Sequence, residues 1–186
     1  MIAGLVLAAG AGTRFGARPK LLADLRGRPL LEHAVGAQCE VPELERIVVV
    51  LGAFAVEVRS SVDFGRAEIV VCEDWEDGQA ASLRCGLRAL AGADKVLITL
   101  GDEPLISPAV IRRFLDQPGG ARATYNGRPG HPVVLGQAQM AAALELTGDQ
   151  GARAVLGDGP KIECGDLSSG VDVDTEADLD AILRNS

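Results

Sequence analysis

Aromatic residues are scarce: one Trp, one Tyr and four Phe in 186 positions. Stacking platforms for single-stranded nucleic acid need more of them. Positive charge is also in deficit. Eighteen Lys and Arg face twenty-six Asp and Glu, a net charge of −8, whereas a nucleic-acid binder shows a basic stripe. Histidine occurs twice and cysteine four times. Cys39, Cys72, Cys85 and Cys164 lie far apart with no C-x-x-C pair, which excludes a zinc-finger spacing. Reduced, mostly buried thiols are the expectation. No apolar run approaches the length of a membrane span. The opening Met1-Ile2-Ala3-Gly4-Leu5-Val6-Leu7-Ala8-Ala9-Gly10 is short and lacks a basic start, so it reads as neither signal nor anchor. A soluble, cytoplasmic protein is expected, with no nucleic-acid or membrane partner.

Hydrophobic residues make up 47% and charged residues 24%, an ordinary globular balance that argues against disorder. The length suits one domain, which would bury roughly 70% of its unfolded surface. Apolar, β-branched runs alternate with helical stretches. Ile2–Ala8, Arg46–Leu51, Glu68–Cys72 and Lys95–Leu100 read as strands, with Val133–Leu135 and Gly170–Val173 as shorter ones. Pro29–Cys39, Ala53–Val62, Gly78–Leu90, Gln137–Leu146, Gln150–Leu156 and Thr175–Leu183 read as helices, and Ser107-Pro108 as a capped helix start. Near-continuous apolar strands separated by helices predict a mostly parallel sheet covered on both faces. The Gly/Pro-rich patches at 10–19, 117–120, 126–132 and 157–160 read as loops.

In such sheets ligands sit beyond the carboxyl ends of the strands, and three segments fall there. The first strand runs into Gly10, Gly12 and Gly16, with Arg14, Arg18 and Lys20 among them and no acid before Asp24. Glycines allow a tight turn that presents backbone N–H groups to an anion. In an acidic chain this local basic excess calls for a phosphate-rich ligand. The Walker pattern is absent. The dinucleotide G-x-G-x-x-G fails because Phe15 stands where the third glycine belongs, and the second strand ends in Leu51-Gly52 without a ribose-binding acid. The fourth strand ends at Gly101-Asp102-Glu103-Pro104. A carboxylate beside a phosphate needs an intervening cation. Mg²⁺ takes one or two carboxylates together with phosphate oxygens and water, so Asp102 is the candidate ligand; Glu103 reads as a turn residue pointing elsewhere. Of the late pair Asp172 and Asp174, only one can face the crevice, and Asp174 lies nearer the strand's end. Thr175 and Asp178 read as a capping pair. His33 and Trp75 read as structural.

Taken together these segments resemble the molybdopterin nucleotidyltransferases, molybdenum cofactor cytidylyltransferase above all. Leu7-Ala8-Ala9-Gly10 with Gly12, Arg14, Gly16, Lys20 and Leu21-Leu22 resembles that family's first signature, and Asp74 to Arg84 its second. Gly101-Asp102-Glu103-Pro104-Leu105 is similar to its metal-binding turn, and Asp172-Val173-Asp174-Thr175 to its closing metal segment. Gly130-His131-Pro132 and Gly148-Asp149-Gln150-Gly151-Ala152-Arg153 resemble stretches near its pterin pocket. Ala81 and Glu103 depart from the family pattern, where Ser and Gln or Met are frequent.

The resemblance implies an α/β, Rossmann-like three-layer sandwich of the nucleotide-diphospho-sugar transferase type, forming one domain over residues 1–186. It implies transfer of CMP from CTP to molybdopterin, with Mg²⁺ as cofactor and release of pyrophosphate. Leu7, Ala8, Ala9, Gly10, Gly12, Thr13, Gly78 and Ser82 would contact the nucleotide. Arg14 and Lys20 would hold the triphosphate and act in catalysis with Asp102. Asp102 and Asp174 would hold the metal, and His131 and Asp149 the acceptor. A recipient molybdoenzyme or chaperone is an implied partner. Rival readings are a guanylyltransferase for the same cofactor, another cytidylyltransferase, a nucleotide-binding escort protein and a nicotinamide-dependent reductase.

Overall fold

The computed structural model describes residues 1–185. Strand β1 is Ile2–Ala8. A small hairpin, β2 (Asp24–Leu25) and β3 (Arg28–Pro29), precedes α1 (Leu30–Cys39). Then come β4 (Arg46–Leu51), α2 (Ala55–Ser61), β5 (Glu68–Val71), α3 (Gln79–Ala89) and β6 (Lys95–Leu100). The second half holds α4 (Pro108–Arg112), β7 (Arg122–Tyr125), β8 (Arg128–Gly136), α5 (Gln137–Ala143), β9 (Lys161–Glu163) and α6 (Glu176–Arg184). Ser107 caps α4 through its side chain.

The main sheet has the order β5-β4-β1-β6-β8-β7-β9. β1, β4, β5 and β6 run parallel, β8 reverses against β6 and β7, and β9 returns parallel to β7. Alternation along each strand sends neighbours to opposite faces. Leu5, Val48, Val50, Val96 and Ile98 pack with Leu83 and Leu87 of α3. Val6, Ala8, Val49 and Leu51 pack with Leu31 and Val35 of α1 and Val58 of α2. Leu97 and Val134 meet Val110 and Ile111 of α4 and Phe114 just beyond it. Helices therefore cover both faces, as a three-layer sandwich requires. Among the described residues no helix is long and apolar enough to cross a membrane.

The second half departs from expectation. Gly170–Val173 is not a strand; it is an irregular segment whose Val173 N–H donates to Asp102 O at 2.9 Å. Residues 126–132 are not a loop: Asn126 and Gly127 make a hairpin turn with positive φ, and the rest belongs to β8. Strands β7 and β9 carry weak apolar patterns and are recruited by pairing. The expected helix over 150–156 shortens to a 3₁₀ turn at Ala152–Val155.

Candidate active site

The carboxyl ends of β1 and β6 open into a cavity of about 470 Å³. One wall is the turn after β1, comprising Leu7, Ala8, Ala9, Gly10 and Gly12. Gly12 has a φ of 59°, and a Cβ there would lie 3.0 Å from Lys20 Cβ. Glycine thus lets the turn fold back over Lys20, whose side chain is only 11% exposed. The opposite wall is the first turn of α3, with Gly78, Gln79 and Ser82. Leu100 and Asp102 form the β6 side, and Asp149 reaches in from the segment after α5.

Lys20 Nζ donates to Asp102 Oδ2 at 2.7 Å and to Asp174 Oδ1 at 3.1 Å. Arg14 Nη2 lies 3.0 Å from Asp174 Oδ2. Residues 82 and 154 positions apart thereby form one charged cluster. Burial opposes the Lys20 charge, but the two carboxylates outweigh it and raise its pKa. Asp102 feels the converse. Burial raises its pKa, Lys20 pulls it down without cancelling the rise, and Glu103 and Asp172 add to it. Asp102 Oδ1 is buried and has no hydrogen-bond partner among the described residues.

That orphaned oxygen bears on the metal that the resemblance implies. An unpaired buried carboxylate oxygen is costly, and a hard cation is a suitable partner for it. Two carboxylates with open space beside them suit Mg²⁺ or Mn²⁺, which keep their remaining positions for water and phosphate. A purely protein cage is absent: no group of three or more His, Cys, Asp or Glu among the described residues is placed to hold a metal. The donor set therefore fits an ion that arrives with, or is completed by, a polyphosphate.

Thr13 and Arg14, also expected in the site, are exposed and do not line the cavity, although Arg14 reaches Asp174. His131 is buried, its Nδ1 3.0 Å from Glu103 Oε1, and its carbonyl accepts from Tyr125 Oη at 2.5 Å. Glu103 is a turn residue, its N–H donating to Leu100 O at 3.3 Å, and it points away from the cavity, but it is buried rather than idle. The reversed β8 lies against β6 and turns Glu103 inward onto His131. Asp149 does not cap a helix; Gly151 stands at that position. Asp174, and not Asp172, contacts Lys20 and Arg14. Sequence reasoning missed Leu21, Glu76, Gln79 and Leu100 as cavity residues, and Trp75 both packs on the core and lines the cavity. Leu21, Glu76 and Gln79 stood inside the two signature segments and Leu100 is the last residue of β6, which was the available signal.

A MobA-like NTP transferase domain matches residues 4–163. The chain belongs to that family. A crystal structure of Rv0371c from Mycobacterium tuberculosis H37Rv superposes with a TM-score of 0.85 at 30% identity, over 98% of this chain and 97% of that one. A manganese complex of Rv0371c superposes at 0.81 and 27% identity, over 100% and 99%. A nucleotidyl transferase from Methanothermobacter thermautotrophicus, Mth528, reaches 0.80 at 28% identity, over 100% and 99%. Among curated proteins, nicotine blue oxidoreductase of Paenarthrobacter nicotinovorans is 36% identical over 197 residues, 98% of this chain and 96% of its own length. The family and these folds place the chain among the nucleotidyltransferases. In this MobA-like transferase, Asp174 lies beyond the matched span, so its place in the site comes from the structure.

Proposed function

We propose that this chain transfers CMP from CTP to the terminal phosphate of a molybdopterin-type acceptor, releasing pyrophosphate, with Mg²⁺ as the metal. The observation that carries this reading is the convergence of Lys20, Asp102 and Asp174 beside a glycine turn and one cavity. The backbone from Leu7 to Gly10, with Gly78 and Ser82, takes the base and ribose. The amides of Gly12 and Thr13, Arg14 and Lys20 take the triphosphate, where backbone N–H groups and cations neutralise developing charge. Asp102 and Asp174 would hold the Mg²⁺, which would neutralise charge on the α-phosphate and the leaving group. Lys20 Nζ must then leave Asp102 and Asp174 for the phosphates. Attack is in line, by a phosphate oxygen that is already anionic near neutral pH. No general base is required, and alignment and charge neutralisation supply the rate. His131, held by Glu103, would lie on the acceptor side.

The test is pyrophosphate release with CTP, GTP, ATP and UTP in turn, with and without molybdopterin and Mg²⁺. Release that requires CTP, molybdopterin and metal together is the expected result. Release with GTP in place of CTP would make the chain a guanylyltransferase for the same acceptor.

One observation favours a second reading. The full-length relative is named an oxidoreductase, so a nicotinamide-dependent reductase is the alternative. The interrupted glycine pattern at Phe15 and the missing acid after β4 count against a bound dinucleotide. Saturable quenching of reduced-nicotinamide fluorescence on adding the protein would favour it.

A further inference from the structure

We propose that Asp149, supported by Glu76, reads an exocyclic amino group on the nucleobase and thereby selects against uracil. The inference rests on the nucleotidyltransferase reading above and assigns the end of the cavity that reading leaves without a role.

The cavity has two chemically different ends. Lys20 and Asp102 mark the phosphate end, beside β6. Trp75, Glu76, Gln79 and Asp149 mark the other. A Cβ on Gly52 would stand 2.6 Å from Trp75 Cβ and 2.7 Å from Ala9 O, so this second end lies over β4 and β1, on the side away from β6. Asp149 is brought there by close backbone packing. Ala80 N–H donates to Gly148 O at 3.0 Å. Gly78 has a φ of 100°, and a Cβ on it would lie 2.5 Å from Gly148 O and 2.8 Å from Asp149 Oδ1. A Cβ on Gly151 would lie 2.8 Å from Gln79 Oε1. Both glycines are needed for the 148–151 segment to dock on α3 and project its carboxylate over the cavity.

Neither Asp149 nor Glu76 has a hydrogen-bond or ion-pair partner among the described residues, yet both line the cavity. Glu73, Asp74 and Asp77 stand nearby in sequence, and Arg84, a cation close by, donates to Leu146 O and does not line the cavity. An anionic group is repelled from this end, so the phosphates go to Lys20 and the base comes here. Ionised carboxylates offer acceptors only. Cytosine and adenine present an amino group, and guanine an amino group beside N1–H. Uracil presents a carbonyl where cytosine has its amine, and two acceptors then face each other. The same carboxylate-to-amine match reads cytosine in DNA grooves.

The test is calorimetric titration of CTP, GTP, ATP and UTP into the full chain with Mg²⁺, for the wild type, Asp149→Asn and Glu76→Gln. Both positions are exposed, and an unchanged thermal midpoint verifies that each variant folds. UTP is expected to bind at least about tenfold more weakly than the best amino-bearing nucleotide. Asp149→Asn, whose amide can donate to the uracil carbonyl, is expected to narrow that ratio by about tenfold or more. Glu76→Gln is expected to narrow it less. UTP binding as tightly as the others, or a ratio unchanged in Asp149→Asn, would overturn the inference and leave nucleotidyl transfer standing. No binding by any of the four would overturn both.

Discussion

Lys20 Nζ stands between two carboxylates, so a metal held there as proposed would compete with the ammonium for the same oxygens. Lys20→Met should strengthen Mn²⁺ binding in the absence of nucleotide, read by electron paramagnetic resonance, while lowering turnover at least about a hundredfold. Weaker Mn²⁺ binding in that variant would mean that the carboxylates do not form the metal site. Asp102→Ala should remove turnover to a similar degree and leave the thermal midpoint near wild type, because Lys20 keeps Asp174. Away from the site, Gln38 is fully buried and donates to Thr99 Oγ1 at 2.9 Å and to Leu5 O at 3.3 Å. A methyl group on Gly4 would land on Gln38 Oε1. Gly4→Ala should therefore cost about 2 kcal/mol, as overpacking typically does, and lower the urea midpoint.

At the scale of elements, the start of α6 does more than begin a helix. Thr175 Oγ1 accepts from Asp178 N–H at 3.2 Å, and Asp178 Oδ2 accepts from Thr175 N–H at 2.8 Å and from Asp174 N–H at 3.0 Å. Thr175 Oγ1 also donates to Asp178 Oδ2 at 2.8 Å, and that side-chain bond contributes most, ahead of the two backbone bonds, to holding the Asp178 carboxyl below the usual range. The capping pair was legible in the sequence. Its hold on Asp174 was not, because that depends on an irregular backbone which Val173 pins to Asp102 O. Thr175→Ala should cost about 1 kcal/mol, measured by urea unfolding. Asp178→Ala should also raise the KM for metal–nucleotide, since it frees Asp174; an unchanged KM would limit Asp178 to capping.

Over the whole molecule, the parallel half was readable and the reversed half only at its centre, where Val133–Leu135 read as the strand that became the middle of β8. Strands β1, β4 and β6 carry near-continuous apolar runs because both of their faces are buried. Outside the buried Val133–Leu135 run, β7, β8 and β9 mix polar, proline and glycine residues with apolar ones and are held by distant partners. Glu163 shows how. It accepts from the N–H groups of Asn126 at 2.8 Å, Gly165 at 2.9 Å and Gly127 at 3.2 Å, and from Thr124 Oγ1 at 2.9 Å. The Asn126 bond is the largest of the influences that lower its pKa to about 2. A depressed carboxylate pKa adds stability that is complete above the unfolded value, near 4.5, and is lost as pH falls towards 2. Glu163→Gln should lower the urea midpoint at pH 7, and the gap from wild type should close through that window; a gap that does not narrow would refute the assignment. By itself the sequence determined the parallel core and the basic glycine turn that follows β1, because strand periodicity and turn chemistry are local. Tertiary structure alone decided that Asp174 joins Lys20 and Asp102, that Glu103 turns inward to His131, and that Asp149 shares the cavity with Ala8. Contacts between residues 28, 82 or 154 positions apart depend on packing and on strand reversal, and no local pattern encodes them.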